Sequence, residues 1–273
     1  ASFPAKRTDR SAKRPGERYL LDIKGPMDVP SLSGAQYYLL ITDEYSRHTK
    51  VFFLCNRSEL SAIWKRFQAN SERQLNSKIQ YVHLDGAGEN TPHELLTYIK
   101  DLGIEVELTV TNTPEQNSIV ERTIQTIQHL GNPALRQSGQ AKAFWPFAMR
   151  HAVCAFNYAP HSSLGGQSPH ERHFGSKPAI HRLRIFGAPA TVRINKGTGN
   201  LDDGAEFGIN LGLADSRHAY IVYIPDRNVF IETCHLTMDE TFVAPVHADR
   251  VNKLKIRTFE RTQPFDPVVS MWE

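Results

Sequence analysis

The chain has 273 residues, 40% hydrophobic and 22% charged, with a formal net charge of +3 and a pI near 8.7. That composition suits one large domain, or a domain of about 150 residues with a smaller companion, and excludes a disordered or collagen-like chain. Cys55, Cys154 and Cys234 are far apart and form no CxxC pair, so neither a disulfide framework nor a structural zinc site is indicated.

The charge permits a nucleic-acid partner without demanding one, because a balanced total can hide a local basic face. No apolar run approaches the roughly 20 residues of a membrane span. The sequence starts without Met or a signal-peptide pattern, which reads as a piece of a longer precursor.

Residues 1–18 form a basic arm (Lys6, Arg7, Arg10, Lys13, Arg14, Arg18), either solvated or lying along DNA. Strands are expected over Tyr19–Ile23, Tyr37–Thr42 and Val51–Leu54, the second a continuous apolar run of the kind buried on both faces. Leu60, Ile63, Trp64 and Phe67 mark one apolar face of a helix over Glu59–Leu75. A fourth strand over Lys78–Leu84 runs into Asp85 and is broken by Gly86-Ala87-Gly88. A helix over Pro92–Leu102 closes at Gly103, and a fifth strand covers Ile104–Val110. Thr113-Pro114-Glu115-Gln116 has the cap, proline and first-turn residues of a helix start, and Val120, Ile124 and Ile127 give that helix its buried stripe. Gly131-Asn132-Pro133 predicts its end.

A further helix is expected over Phe144–Tyr158. From Leu183 short apolar runs (Ile185-Phe186, Thr191–Ile194, Ala219–Ile224, Val229–Ile231) predict a small β module. The order βββαβαβα implies an α/β arrangement with a mixed sheet. The expected organisation is an arm over 1–18, a core over 19–175, a β-rich module over 182–245 and a basic tail over 246–273 that includes Arg250, Lys253, Lys255, Arg257 and Arg261. That tail either binds nucleic acid or is simply solvated.

Three carboxylates stand out by position: Asp22 within the first strand, Asp85 at the end of the fourth, and Glu121 beside Val120 at the border of a helix's buried stripe. Neighbouring strand ends project to one edge of a sheet, where α/β proteins build their sites. Converging acids repel unless cations neutralise them, and hard oxygen donors select Mg²⁺ or Mn²⁺. Two such ions suit in-line phosphoryl displacement. Spacing alone leaves a structural or solvated role open, since the chain has 29 acids. Asp43 and Glu44 read as turn or surface acids, His83 as a structural imidazole, and Glu89 as a loop acid that competes for a place near the metals. Trp64 and Trp145 read as core residues.

Local sequence adds a resemblance. Asp22-Ile-Lys-Gly25-Pro26 resembles the D-x-x-G-P of retroviral and retrotransposon integrases, and Leu84-Asp85-Gly86-Ala87-Gly88-Glu89 is similar to their D-N-G-x-E segment. Thr113-Pro114-Glu115-Gln116-Asn117-Ser118-Ile119-Val120-Glu121-Arg122 resembles their T-P-x-x-N-G-x-x-E-R block. The 35 residues between Asp85 and Glu121 give the D,D-35-E interval of that superfamily. Phe144-Trp145-Pro146-Phe147-Ala148, Ser168-Pro169-His170-Glu171, Leu183-Arg184-Ile185-Phe186-Gly187 and Tyr220-Ile-Val-Tyr223 are similar to the Ty1/copia group in particular. The likeness runs from about residue 19 to residue 242.

The resemblance implies an RNase H-like mixed five-stranded sheet with flanking helices, and a polynucleotidyl transferase that trims the 3′ ends of element DNA and joins them to target DNA. It implies two Mg²⁺ or Mn²⁺ ions held by Asp22, Asp85 and Glu121. It places Gln116, Asn117, Arg122, Gln125 and Gln128 at the DNA, although Gln116 and Asn117 also suit a helix cap. Implied partners are double-stranded DNA, a second copy of the chain and other parts of a retroelement polyprotein, with no membrane. The implied compartment is the nucleus, after a cytoplasmic particle.

There are departures from the family pattern. Gly86 stands for the usual Asn, Asn90 for an aromatic and Ser118 for Gly, while Gln125 and Gln128 occupy positions that are basic in retroviral relatives. The family's N-terminal His-His-Cys-Cys zinc module is not in this sequence. The alternatives are a related RNase H-like nuclease or transposase, or a catalytically silent DNA-binding module.

Overall fold

Strand β1 (Arg18–Lys24), β2 (Tyr37–Asp43) and β3 (Thr49–Leu54) form an antiparallel meander in the computed structural model, which describes residues 11–84, 93–108, 114–193, 204–214 and 219–241. β4 (Tyr81–Leu84) and β5 (Glu105–Leu108) add in parallel on the other side of β1, giving the order β3-β2-β1-β4-β5. Parallel neighbours need a crossover, and α1 (Leu60–Leu75) and α2 (His93–Asp101) provide one for each pair. Three helices follow: α3 (Pro114–Gln137), α4 (Trp145–Tyr158) and the short α5 (Pro169–Phe174). This is the expected mixed five-stranded sheet with flanking helices.

Both faces of the sheet are covered, which is why β2 reads as an unbroken apolar run. Leu39 and Ile41 of β2 join Tyr19, Leu21, Phe52 and Leu54 against Trp64 and Phe67 of α1 and Leu95 and Ile99 of α2. Tyr38 and Leu40 point the other way, with Leu20, Val51 and Phe53, against Val120, Ile124 and Ile127 of α3 and Trp145, Met149 and Phe156 of α4.

A second sheet, all antiparallel, has the order β10-β6-β7-β8-β9, with β6 (Pro189–Arg193), β7 (Ala205–Leu213), β8 (Tyr220–Ile224), β9 (Val229–Thr233) and β10 (Leu236–Met238). Helix α4 serves it too. Phe147 and Ala148, with Phe144 just before the helix, pack on Ile209, Leu211, Ile221 and Tyr223.

Four expectations are corrected. Helix α3 does not stop at Pro133 but continues to Gln137. Pro133 is exposed, and the backbone acceptor it leaves without a donor belongs to exposed His129, where water can replace the bond. Gly131 lies so close to α4 that an added Cβ would sit 2.8 Å from Met149 Cε, so packing holds the helix on course. Ile185-Phe186 is a turn rather than a strand, with Phe186 buried against the second sheet. Asp43 is not a surface acid: it is fully buried and accepts from Gly16 N at 2.9 Å, Ser46 N at 3.0 Å and Ser46 Oγ. Because that Ser46 proton is committed, Ser46 Oγ accepts from His173 Nδ1 at 2.9 Å, which ties α5 to the β2–β3 turn. Finally, Arg18 leaves the arm to open β1, buried beside Glu44 and Glu107 and stacked over the Tyr81 ring.

Candidate active site

Asp22 sits in β1 with its Cα opposite Leu40, a residue of the face covered by α3 and α4. Side chains alternate along a strand, so Leu20 and Asp22 share that face. The carboxylate is half-buried. Two residues on, Lys24 pairs with Tyr38, which makes Tyr38 the diagonal neighbour of Asp22 on the same face.

The backbone just beyond explains the glycine of the D-x-x-G-P segment. Gly25 has φ of 130°, and a Cβ there would lie 2.6 Å from the Gln36 carbonyl oxygen, so no larger residue fits. The loop that follows is pinned from outside, with Trp145 Nε1 donating to the Val29 carbonyl at 3.0 Å. A core tryptophan of α4 therefore also anchors the loop beside Asp22.

Glu121 is exposed on α3, next to Val120 of the buried stripe. Seven residues later on nearly the same line of the helix comes Gln128. It is half-buried, and its Nε2 donates to the Tyr38 hydroxyl at 2.9 Å. Tyr38 is fully buried. Burial pushes its phenol up to about 12; the Gln128 bond works against that shift and the negative charge of Asp22 adds to it. The strand of Asp22 and the helix of Glu121 thus meet around one hydroxyl. A buried phenol in an aliphatic strand must find a partner, and that was the available sequence signal for this contact. Reading the sequence missed it.

Asp85 lies outside the described residues, as does Glu89. The last described residue before Asp85, Leu84, pairs with Leu21 of β1, directly before Asp22. The side chains of Gln116 and Asn117 are likewise outside, while their backbone belongs to the start of α3. Arg122 and Gln125 are exposed on α3. His83 is buried in β4 with Nδ1 4.0 Å from Glu107 Oε2, an internal contact of the kind expected for a structural imidazole. Among the described residues no group of three or more His, Cys, Asp and Glu is placed to hold a metal ion, and no helix is long and apolar enough to cross a membrane.

No protein-family model matches the chain. Over most of its length it is similar to retrovirus-related Pol polyproteins from transposons. It is 28% identical over 235 residues to the retrovirus-related Pol polyprotein from transposon TNT 1-94 of Nicotiana tabacum, an alignment covering 86% of this chain and 18% of that protein. Against the corresponding polyproteins from transposons RE2 and RE1 of Arabidopsis thaliana it is 26% and 27% identical, over 78% and 75% of this chain and 14% of each relative. The chain therefore spans less than a fifth of the length of these relatives. Among solved structures, the HTLV-2 integrase catalytic core domain in complex with magnesium, in a trimeric form, aligns with a TM-score of 0.44 at 17% identity, covering 59% of this chain and 98% of that one.

Proposed function

We propose that this chain is the catalytic core of a retrotransposon integrase, which trims the 3′ ends of element DNA and joins them to target DNA. The observation that carries the reading is that α3, with Glu121, lies across the face of the sheet to which Asp22 belongs. The order of the acid-bearing motifs, and similarity to Pol polyproteins along most of the chain, support the same assignment.

Asp22, Asp85 and Glu121 are proposed as the ligands of two Mg²⁺ or Mn²⁺ ions. The donor set fits hard divalent cations, since all three groups are carboxylates and His83 is engaged with Glu107 instead. The negative charge that Asp22 imposes on buried Tyr38 is the kind of field a cation relieves. When bound, such ions would neutralise the acids, activate a water or a 3′-hydroxyl and stabilise the departing oxygen.

The protein's own part is to hold the carboxylates and grip the DNA. Asp22 is held by a strand paired on both sides, and Glu121 by a helix seated on that sheet. Arg122 and Gln125, exposed beside Glu121, are proposed to contact phosphates, together with Gln116 and Asn117, whereas Gln128 turns its amide nitrogen to Tyr38 instead. Joining two DNA ends in concert calls for more than one copy of the chain, and the proposed place of action is the nucleus.

The test is to incubate the purified chain with Mn²⁺ and a labelled element-end duplex, beside Asp85→Asn. Trimming and joining by the wild type alone is the expected result. A wild type that does neither, or a variant equally active, overturns the assignment, and trimming without joining reassigns the chain to a nuclease.

A further inference from the structure

We propose that the Gln128–Tyr38 hydrogen bond is a positioning device: it fixes the roll of α3 on the sheet and so sets Glu121 relative to Asp22. The proposal rests on the reading of those two acids as metal ligands.

Helix α3 meets the sheet through Val120, Ile124 and Ile127, packed on Leu20, Tyr38, Leu40 and Phe53. Apolar contact is non-directional, so the stripe holds the helix on the sheet without aiming any one polar flank. Side-chain tips lie about 5 Å from a helix axis, so a roll of roughly 20° moves a tip by about 2 Å. A misplacement of about 1 Å can cost roughly a hundredfold in rate. A carboxylate on an exposed flank needs a directional restraint that the apolar stripe does not supply.

Gln128 has the right place for that restraint. It stands two turns from Glu121 on the same line of the helix, so a bond that holds the direction of one holds the other. Its partner is immobile: Tyr38 is fully buried, paired with Lys24 in the sheet, and its ring lies 6.1 Å from that of Trp145. The hydroxyls of Thr123 and Thr126 turn back to carbonyls of their own helix, at Ile119 and Arg122. The Tyr38 hydroxyl also lies within electrostatic reach of Asp22, which helps raise its phenol. One oxygen is thus bonded to the helix of Glu121 and sits in the field of Asp22.

At position 128 this chain carries an amide whose nitrogen is committed inside the protein. Gln128 is therefore a positioning residue, acting through the helix rather than on the reacting atoms.

The test compares the full chain with Tyr38→Phe, Gln128→Met and the double variant. It reads Mn²⁺ binding by calorimetry and the Mn²⁺ concentration for half-maximal end trimming. Each single variant is expected to bind Mn²⁺ about tenfold more weakly. The double variant should be no worse than either single, because only one bond is lost. Melting curves should stay close to wild type. Variants that bind Mn²⁺ like wild type, or a double variant whose loss is the product of the two, overturn the positioning role and leave the metal reading standing. A wild type that binds no Mn²⁺, indistinguishable from Asp22→Asn, brings down the metal reading and this proposal with it. Should Tyr38→Phe fail to fold, Gln128→Met at its half-buried site decides alone.

Discussion

The same five strands present two buried faces, built to different rules. Toward α1 and α2, the sheet offers Tyr19, Leu21, Leu39, Ile41, Phe52 and Leu54 to Trp64, Phe67, Leu95 and Ile99, and the Tyr19 hydroxyl ends on Ser71 Oγ at 2.6 Å. Toward α3 and α4, Leu20, Leu40 and Phe53 are interrupted by Asp22 and by a phenol bonded to Gln128. The first face closes mainly by apolar contact, and its Tyr19 phenol is already paired with Ser71. The second encloses polar groups that each need a specific partner, and this is the face on which the candidate chemistry sits. A face that only stabilises can be read from burial, whereas a face that works is recognised by what interrupts its burial.

The sharpest way to break this contrast is Asp22→Asn. With Asp22 as a metal ligand, as proposed, the variant should lower the proposed strand transfer at least about a thousandfold, several kcal/mol of transition-state stabilisation. Thermal unfolding should not move downward, because the half-buried acid repels its companions when no cation is bound. A variant that unfolds early instead would make Asp22 a structural residue. The opposite face should answer in the opposite way. Trp64→Ala removes a fully buried ring and should cost about 3–4 kcal/mol in urea unfolding. Folded protein that survives the change should keep its Mn²⁺ affinity.

A smaller effect belongs to the seam between the two sheets. His151 of α4 is half-buried against Phe186, and its Nδ1 has no hydrogen-bond partner among the described residues. Burial lowers its imidazole from the ordinary 6.5 to about 4. The unfolded chain takes up that proton first, so the fold has its full stability above about pH 6.5 and loses it as pH falls toward 4. The loss attributable to this group is at most about 3 kcal/mol. His151→Phe should flatten the acid limb of stability against pH, and an unchanged limb would assign it elsewhere, for example to buried His48, which burial also lowers.

Much of this organisation was legible because it follows from periodicity. The stripe Leu60, Ile63, Trp64 and Phe67 defined α1, the unbroken run in β2 announced a strand buried on both faces, and Gly103 closed α2 in a left-handed conformation at φ 72°. Strand β7 was not legible. Gly208 and Gly212 break its apolar pattern, Asn210 is a buried polar residue, and its register with β8 shifts between Asn210 and Leu213. Gly208 is needed there, since a Cβ would meet Val222 Cγ1 at 2.3 Å, but that constraint comes from a neighbouring strand. The same holds at the site. The candidate acids were singled out by their flanking motifs, while Tyr38 and Gln128 lie far apart in sequence and meet through tertiary packing alone. Pro133 misled for a related reason: its local rule is to end a helix, and contact with α4 overrode it.

Helix α4 makes the two sheets a single cooperative unit. Trp145, Met149 and Phe156 belong to the first sheet, while Phe147 and Ala148, on intervening positions, belong to the second. Melting either sheet strips one flank of a shared helix, so heat should take both in a single transition. A shortened version ending at Gly175 would keep every strand of the first sheet yet leave Phe144 and Phe147 facing water. Such a fragment should be adhesive to its own copies, a hazard that comes from the helix it shares rather than from the chemistry it carries.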